Sequence, residues 1–166
     1  MHLSEDAPAR GAPRDPAALP GVAPRPAETW LRIVQVHDRI TRRVDSALHR
    51  QHGLSLTGFE ALRRIAESPG ERASMGEVAE ALGLSRPGVT STVARLVADG
   101  LVVRERRDAD RRVLHATLTP AGRQRVAEAA RTHDDLVAHL LALLGDDAAV
   151  VTDALARVSS AAHGRH

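Results

Sequence analysis

From residue 28 onward, the apolar residues of this chain recur at spacings of three and four, except in residues 101–118, where they alternate with polar ones. The first spacing is typical of amphipathic helices and the second of half-buried strands. The chain is therefore predicted to be mostly α-helical with one small β-hairpin, in the order helix, helix, helix, helix, hairpin, helix, helix. The first helix is predicted over residues 28–50, with an apolar stripe at Trp30, Ile33, Val34, His37, Ile40, Val44 and Leu48.

Short polar residues predict where the next helices begin. Thr57 and Glu60 have the spacing of a capping box, in which each side chain bonds the backbone N–H of the other residue. Ser74 and Glu77 repeat that spacing, and Ser85 is the predicted N-cap of the helix that follows. The first four predicted helices end at or before Gly53, Ser68, Gly83 and Gly100.

The hairpin is predicted from two strands, residues 101–107 and 112–118, joined by a turn at Asp108-Ala-Asp110. Alternation predicts which of its apolar residues face the helices. They are Leu101, Val103, Leu114, Ala116 and Leu118.

The two ends of the chain differ in composition. Residues 1–27 hold six of the nine prolines and show no apolar periodicity, so we expect a mostly disordered extension. After the hairpin, Thr119 is the predicted N-cap of a helix that reaches about residue 144, and a last helix is predicted over residues 147–160. These two helices carry more apolar surface than a small monomer needs, although burial within one chain is the alternative. The residues concerned are Leu136, Leu140, Leu143, Leu144, Val150, Val151, Leu155 and Val158.

Missing residue types and motifs exclude several chemistries. The chain has no cysteine, which excludes disulfides, thiolate catalysis, cysteine-ligated zinc and thiol redox sensing. No apolar run approaches the roughly 18 residues that span a bilayer, and no leader is recognisable, so a soluble cytoplasmic protein without membrane contact is expected. The histidines are scattered, and no nucleophile with its base or phosphate-binding glycine loop is found, so no metal, cofactor or enzymatic activity is expected. An active site at Asp108, Asp110 and His115 is the alternative, disfavoured because a surface hairpin cannot exclude water.

Positive charge is concentrated in one part of the chain. Residues 85–125 carry nine Arg against four acidic residues, a net charge of +5, although the whole chain carries only +2. Residues 126–166 carry three Arg against six acidic residues, a net charge of −3. A local excess of this kind indicates a surface that meets a polyanion.

Two of the predicted helices have the spacing of a helix-turn-helix. Ala79 allows a close approach of the helices, Gly83 makes the turn, and Val89 anchors the second helix. Val89, Val93, Leu96 and Val97 form the predicted buried face of that helix. Its other side and N-terminus carry small and basic side chains that fit a DNA major groove, although ordinary solvated surface is the alternative. These side chains are Arg86, Pro87, Thr90, Ser91, Thr92 and Arg95.

Five arginines surround the predicted hairpin turn, namely Arg104, Arg106, Arg107, Arg111 and Arg112. Packing guanidinium groups together gives no stability by itself, whereas a DNA backbone or minor groove would supply counter-charge. A solvated turn, partly neutralised by its own two aspartates, is the alternative.

Several segments carry a family resemblance: Leu54-Ser-Leu-Thr57 with Phe59-Glu60-Ala-Leu62, Glu77-Val-Ala-Glu-Ala-Leu-Gly-Leu-Ser85, Asp99-Gly-Leu-Val102, and Asp110-Arg-Arg112 followed by Leu118-Thr119 and Gly122. Together they resemble the MarR family of winged helix-turn-helix transcriptional regulators over roughly residues 28–160. The resemblance implies a single domain over residues 28–166. Residues 54–122 would form its DNA-binding lobe, and residues 28–52 with 123–162 its helical dimerisation region.

The resemblance also implies that the chain binds a pseudo-palindromic double-stranded DNA operator as a homodimer. It implies that Arg112 enters the minor groove and that Asp110 holds it in orientation, which the fork shape of a guanidinium allows. The expected DNA-binding residues are Ser74, Ser85, Arg86, Pro87, Thr90, Ser91, Arg95, Arg106, Arg107, Asp110, Arg111 and Arg112.

Finally, the resemblance implies a repressor that is released by a small aromatic acid, a phenol or urate. Trp30 and His37 are the candidate ligand-binding residues, because a urate-responsive subgroup of the family carries an N-terminal extension and a tryptophan in this region. Packing of Trp30 at a dimer interface is the alternative reading of that residue. The alternative function is a winged-helix protein-interaction module without specific DNA binding.

Overall fold

The computed structural model describes residues 25–107 and 110–163, except for the side chains of residues 106–112 and 163. The predicted order of helices and hairpin is confirmed, as is the mostly α fold class with a small β wing. The elements are α1 (Pro26–His52), α2 (Leu56–Ala66), a 3-10 turn (Pro69–Glu71), β1 (Arg72–Ser74), α3 (Met75–Leu82), α4 (Arg86–Ala98), β2 (Val102–Arg107), β3 (Asp110–Leu118), α5 (Pro120–Leu141), a 3-10 segment (Ala142–Asp147) and α6 (Ala148–His163).

By its internal contacts the chain divides into two units, Met1–Gln35 and Val36–His166. The described part of the first unit is the beginning of α1, where Trp30 and Leu31 are exposed. The second unit contains the rest of α1 and all other elements. No helix in the described ranges is long and apolar enough to cross a membrane.

The core of the second unit surrounds α2. Phe59, Leu62 and Ile65 are fully buried and form the inner face of this helix. The last turns of α1, the inner faces of α3 and α4, and the sheet complete the core, with Val44, Leu48, Val78, Val89, Val93, Leu96, Val102 and Leu118.

The N-terminus of α2 differs from the prediction. Ser55, not Thr57, is its N-cap, so the capping box of Thr57 with Glu60 is wrong. The first amide of α2 donates a 2.7 Å hydrogen bond to the Asp45 carboxylate of α1. A partner from another helix thus satisfies one free helix-end N–H, and α2 begins two residues before the predicted start.

The other predicted caps are confirmed. The Ser74 hydroxyl accepts a hydrogen bond from the Glu77 amide, and the Glu77 carboxylate accepts one from the Ser74 amide, so both halves of this capping box are present. Ser85 caps α4 and Thr119 caps α5 in the same way, each accepting from an amide three residues on.

The sheet has three antiparallel strands in the order β1-β3-β2. The sequence did not predict β1, because a three-residue strand is too short to show alternation. Val102 pairs with Leu118 and is 1% exposed, whereas Val103 is 40% exposed. The prediction that Val103 faces the core is therefore wrong. Leu101 is buried in the turn that closes α4, where its amide donates to the Leu96 carbonyl, and alternation begins only after it.

The junction between the sheet and α5 is tightly packed. The Thr119 hydroxyl donates a 2.8 Å hydrogen bond to the Gly100 carbonyl, and its amide donates to the Leu101 carbonyl. A Cβ added at Gly122 would lie 2.0 Å from that same Leu101 oxygen. Only glycine fits here, and the first turn of α5 is thereby fixed against the base of the hairpin.

Candidate nucleic-acid interface

The α3–α4 pair forms the predicted helix-turn-helix. Gly83 has a φ of 62°, the left-handed conformation that glycine adopts without cost. The Leu84 amide then donates a 2.9 Å hydrogen bond back to the Ala79 carbonyl, which closes the end of α3. The turn brings Ser85 into position to begin α4.

One side of α4 is held by the core and the other is exposed. Val89, Val93 and Leu96 are buried, as predicted. The predicted burial of Val97 is wrong, since this residue is 37% exposed and lies about 100° around the helix from Leu96. The expected DNA contacts on this helix are all exposed, namely Arg86, Pro87, Thr90, Ser91 and Arg95.

The two candidate serines are already used as helix caps. The hydroxyl of Ser85 accepts a 3.3 Å hydrogen bond from the Gly88 amide, and Ser74 is joined to Glu77 in both directions. The Ser74 amide and hydroxyl hold the pKa of the Glu77 carboxyl below its usual range. The Ser85 hydroxyl keeps its proton as a donor for a further acceptor such as a phosphate oxygen.

The wing is formed by β2 and β3, and β2 packs on α4. The strands pair Arg106 with Leu114 and Arg107 with Asp110, with an irregularity between the two pairs. Residues 108 and 109 of the predicted turn lie outside the described residues. The same is true of the side chains of the candidate wing contacts, Arg106, Arg107, Asp110, Arg111 and Arg112.

Arg104 differs in position from the rest of the predicted arginine group. It is partly buried, and its Nη2 donates a 2.9 Å hydrogen bond to the carbonyl oxygen of Thr90 in α4. Next to this bond, a groove of about 640 Å³ separates the wing strands from α3 and α4. The sequence shows the arginine but not its partner, because the two residues belong to elements whose contact is tertiary.

The two candidate ligand residues, Trp30 and His37, lie on α1 but in different units of the chain. Trp30 is 64% exposed. The exposed His37 ring lies 3.4 Å from the Asp38 carboxylate. The joint role of these two residues stays a prediction.

A second groove, which the sequence did not predict, lies between α1 and α5 in the second unit. It has a volume of about 540 Å³. The spacing of Arg43 and Arg50 on one helix is visible in the sequence, but the opposing face of α5 is not. Polar and charged side chains on its walls are Arg43, Arg50, Gln51, Thr132, Asp135 and His139.

Hydrogen bonds join the two helices beside the α1–α5 groove. The His52 ring lies 2.8 Å from the Thr132 hydroxyl, which also donates to Gln51 at 3.3 Å. Arg125 of α5 donates to the His52 carbonyl. Among residues 25–107 and 110–163, no three His, Asp or Glu side chains are grouped as metal ligands.

The fold and the helix pair have counterparts in known proteins. The sequence profile of the MarR family matches residues 52–113. The MarR family regulator AbsC from Streptomyces coelicolor is 26% identical, with a TM-score of 0.75 over 87% of this chain and 99% of that one. Sco3205, a MarR family regulator of the same organism solved in complex with DNA, is 25% identical, with a TM-score of 0.74 over 84% and 89%.

A MarR family regulator from Silicibacter pomeroyi is 29% identical, with a TM-score of 0.66 over 82% of this chain and 93% of that one. A search of curated proteins finds no match. The similarity to the solved structures extends over most of both chains, well beyond the helix-turn-helix itself.

Proposed function

Since the chain belongs to the MarR family of winged helix-turn-helix transcriptional regulators, we propose that it binds a pseudo-palindromic DNA operator as a homodimer. The observation that carries this proposal is the exposed face of α4. Its small and basic side chains stand on a helix held from behind by Val89, Val93 and Leu96. A rigid helix with short side chains can enter a major groove closely enough to reach base edges.

The exposed residues of α4 divide between two roles in this proposal. Pro87, Thr90, Ser91 and Arg95 meet the major groove, and Arg95 has the fork geometry that pairs with guanine. Arg86 and the N-caps of α3 and α4, Ser74 and Ser85, meet phosphates at the positive ends of their helices.

The wing supplies the second contact. Arg106, Arg107, Arg111 and Arg112 would follow the backbone and the minor groove, where a narrow groove attracts guanidinium groups. Asp110 would orient Arg112. The net charge of +5 over residues 85–125 supports this reading, since phosphate contacts supply much of the affinity of such proteins.

The homodimer is supported by apolar side chains near the C-terminus. Leu143 is 82% exposed, Val150 68% and Val158 63%, and Leu141 and Leu155 are also exposed. Contiguous exposed apolar surface is uncommon on a monomer and typical of an interface. A second copy would cover this surface and place two α4 helices in successive major grooves, about 10 base pairs apart.

We also propose that a small aromatic or anionic ligand, such as an aromatic acid, a phenol or urate, releases the operator. Three separate features support such a ligand: the exposed Trp30, the exposed His37, and the α1–α5 groove with its two arginines. A ligand that binds one dimer geometry better than the other shifts the spacing of the α4 helices and weakens DNA binding.

The test is a fluorescence-anisotropy titration of the full chain against its own upstream intergenic DNA, with a scrambled duplex of equal length, at two salt concentrations. We expect nanomolar, salt-sensitive binding that prefers the native sequence by about a thousandfold. Equal weak binding to both duplexes contradicts an operator in this region. No binding at either salt favours the protein-interaction module.

Two variants refine the DNA test. Arg112→Ala should weaken operator binding by about 1–3 kcal/mol without changing the dimer. Arg63→Ala removes an exposed guanidinium from α2 that pairs with Glu67, and should leave operator affinity unchanged. Equal effects of both variants would sink the assignment of the wing contact.

The ligand is tested with the same complex. Urate and simple aromatic acids are added to the bound operator, and the fluorescence of Trp30, the single tryptophan, is recorded in parallel. We expect release of DNA together with a change in emission. The ligand is assigned to the α1–α5 groove instead if DNA release persists in Trp30→Phe and His37→Ala. In that case release should be lost in Arg43→Gln or Arg50→Gln.

A further inference from the structure

Arg104 occupies a place in the wing that a simple phosphate contact does not explain. It pairs with Ala116 across the ladder, on the side of the sheet from which Val102 and Leu118 enter the core. Its side chain is partly buried, and its Nε is shielded from solvent with no hydrogen-bond partner in the described part of the chain. Such a side chain is directed toward α4 and away from the surrounding water.

The group that accepts the hydrogen bond of Arg104 lies in α4. Its Nη2 is 2.9 Å from the carbonyl oxygen of Thr90, the fifth residue of α4. A helical carbonyl accepts one hydrogen bond from the amide four residues on and keeps a second lone pair. The guanidinium can therefore bond this oxygen without unwinding α4, and a charged donor makes the bond stronger than a neutral one.

Packing beside this hydrogen bond is incomplete. A groove of about 640 Å³ lies between the wing strands and the helices, with Met75 and Val89 on the helical side and Leu114 on the strand side. A two-stranded ribbon is only marginally rigid by itself. The angle of the wing over this groove therefore depends on the few contacts that cross it. The hydrogen bond from Arg104 to Thr90 is a polar contact of this kind.

We propose that Arg104 is a positioning residue that fixes the wing at a set distance from α4, so that both elements meet adjacent grooves of the DNA together. This inference rests on the proposed DNA-binding function. Arg104 acts through the wing arginines and does not itself bind phosphate. A wing held in place before binding loses less conformational freedom on the operator, which raises affinity without adding a contact.

The first test measures the free protein. Because the chain has no cysteine, cysteines introduced at the exposed positions Ala94 of α4 and Glu105 of β2 carry the only two spin labels. Labelled protein is diluted with excess unlabelled protein, and the distance distribution is measured by pulsed electron paramagnetic resonance. We expect Arg104→Met to broaden the distribution and Arg95→Met, at an exposed position of α4, to leave it unchanged.

The proposal is overturned if the spin-label distances in Arg104→Met have the same mean and the same narrow distribution as in the parent protein. Circular dichroism of each variant checks that it is folded. If Arg104→Met is unfolded, Arg104→Gln takes its place, because it removes the charge but keeps a polar side chain. The same distance measurement is then applied to it.

The second test adds operator DNA to the same variants. We expect Arg104→Met and Arg95→Met each to weaken binding by roughly tenfold, the size of one lost contact, but only Arg104→Met to broaden the distances. Weaker binding of Arg104→Met with unchanged distances means that the guanidinium contacts DNA directly, and also overturns the proposal. If the parent protein binds no DNA, the proposed function fails, while the distance measurement still decides the role of Arg104.

Discussion

The lobe packed around α2 and the C-terminal helices differ in how far their apolar side chains are buried. In the lobe, Phe59, Leu62 and Ile65 are fully buried by elements of the same chain. In the 3-10 segment and α6, Leu143 and Val158 remain mostly exposed. The core around α2 is completed within one chain, whereas the C-terminal region leaves large apolar side chains exposed.

Phe59→Ala should have the largest effect, because it empties the centre of the lobe. Replacing a fully buried Phe costs about 3–5 kcal/mol of unfolding free energy, measured by urea denaturation. Val97→Ala, at a half-exposed position of α4, is the matched control and should cost less than about 1 kcal/mol. Similar costs for both variants would mean that the lobe has no distinct core.

The double variant Leu155→Asp, Val158→Asp should weaken the proposed homodimer, because it changes only the C-terminal region. Two carboxylates in a covered apolar face should weaken the dimer by at least about 2 kcal/mol, seen as a halved mass by sedimentation. Ala156→Asp, on the opposite side of α6, should remain dimeric. If the double variant sediments like the parent, the apolar face of α6 is not the interface.

Gly122→Ala tests the joint between the lobe and α5. The added Cβ would meet the Leu101 carbonyl oxygen at 2.0 Å, so the first turn of α5 must shift at a cost of about 1–3 kcal/mol. Thermal unfolding of this variant is compared with Gly76→Ala, where the nearest side-chain atom is 3.8 Å away. Equal melting temperatures for the two variants would contradict the tight joint.

Glu77→Gln should have the smallest effect, a loss of stability that is present above pH 4.5 and disappears in acid. Hydrogen bonds from the Ser74 amide and hydroxyl lower the pKa of Glu77 from its ordinary 4.5. Its carboxylate therefore stabilises the fold above pH 4.5, and this stabilisation is lost as the pH falls through the lowered pKa. The melting temperature of the parent should fall more than that of Glu77→Gln over this range.

Glu80→Gln, at an exposed position of the same helix, provides the reference for the acid series. If the melting temperatures of the parent, Glu77→Gln and Glu80→Gln fall in parallel as the pH is lowered, the capping box adds no pH dependence.

Local sequence was sufficient wherever an element is defined by its own residues. The order of helices and hairpin followed from apolar spacing, and three helix starts followed from Ser74, Ser85 and Thr119. The helix-turn-helix followed from Ala79 and Gly83. Each of these features depends on residues within a few positions of each other, so the chemistry is visible in the sequence.

The features that sequence did not determine each have a partner far along the chain. The Asp45 carboxylate of α1 accepts a hydrogen bond from the first amide of α2, and β1 exists only because β3 pairs with it. In the sequence, Arg104 is one of several basic wing residues, and only the structure shows its hydrogen bond to Thr90. Periodicity and caps arise from short-range sterics and hydrogen bonds, which the sequence carries. Register and the direction of a long side chain depend on which distant groups are brought within reach, and only the tertiary structure decides that.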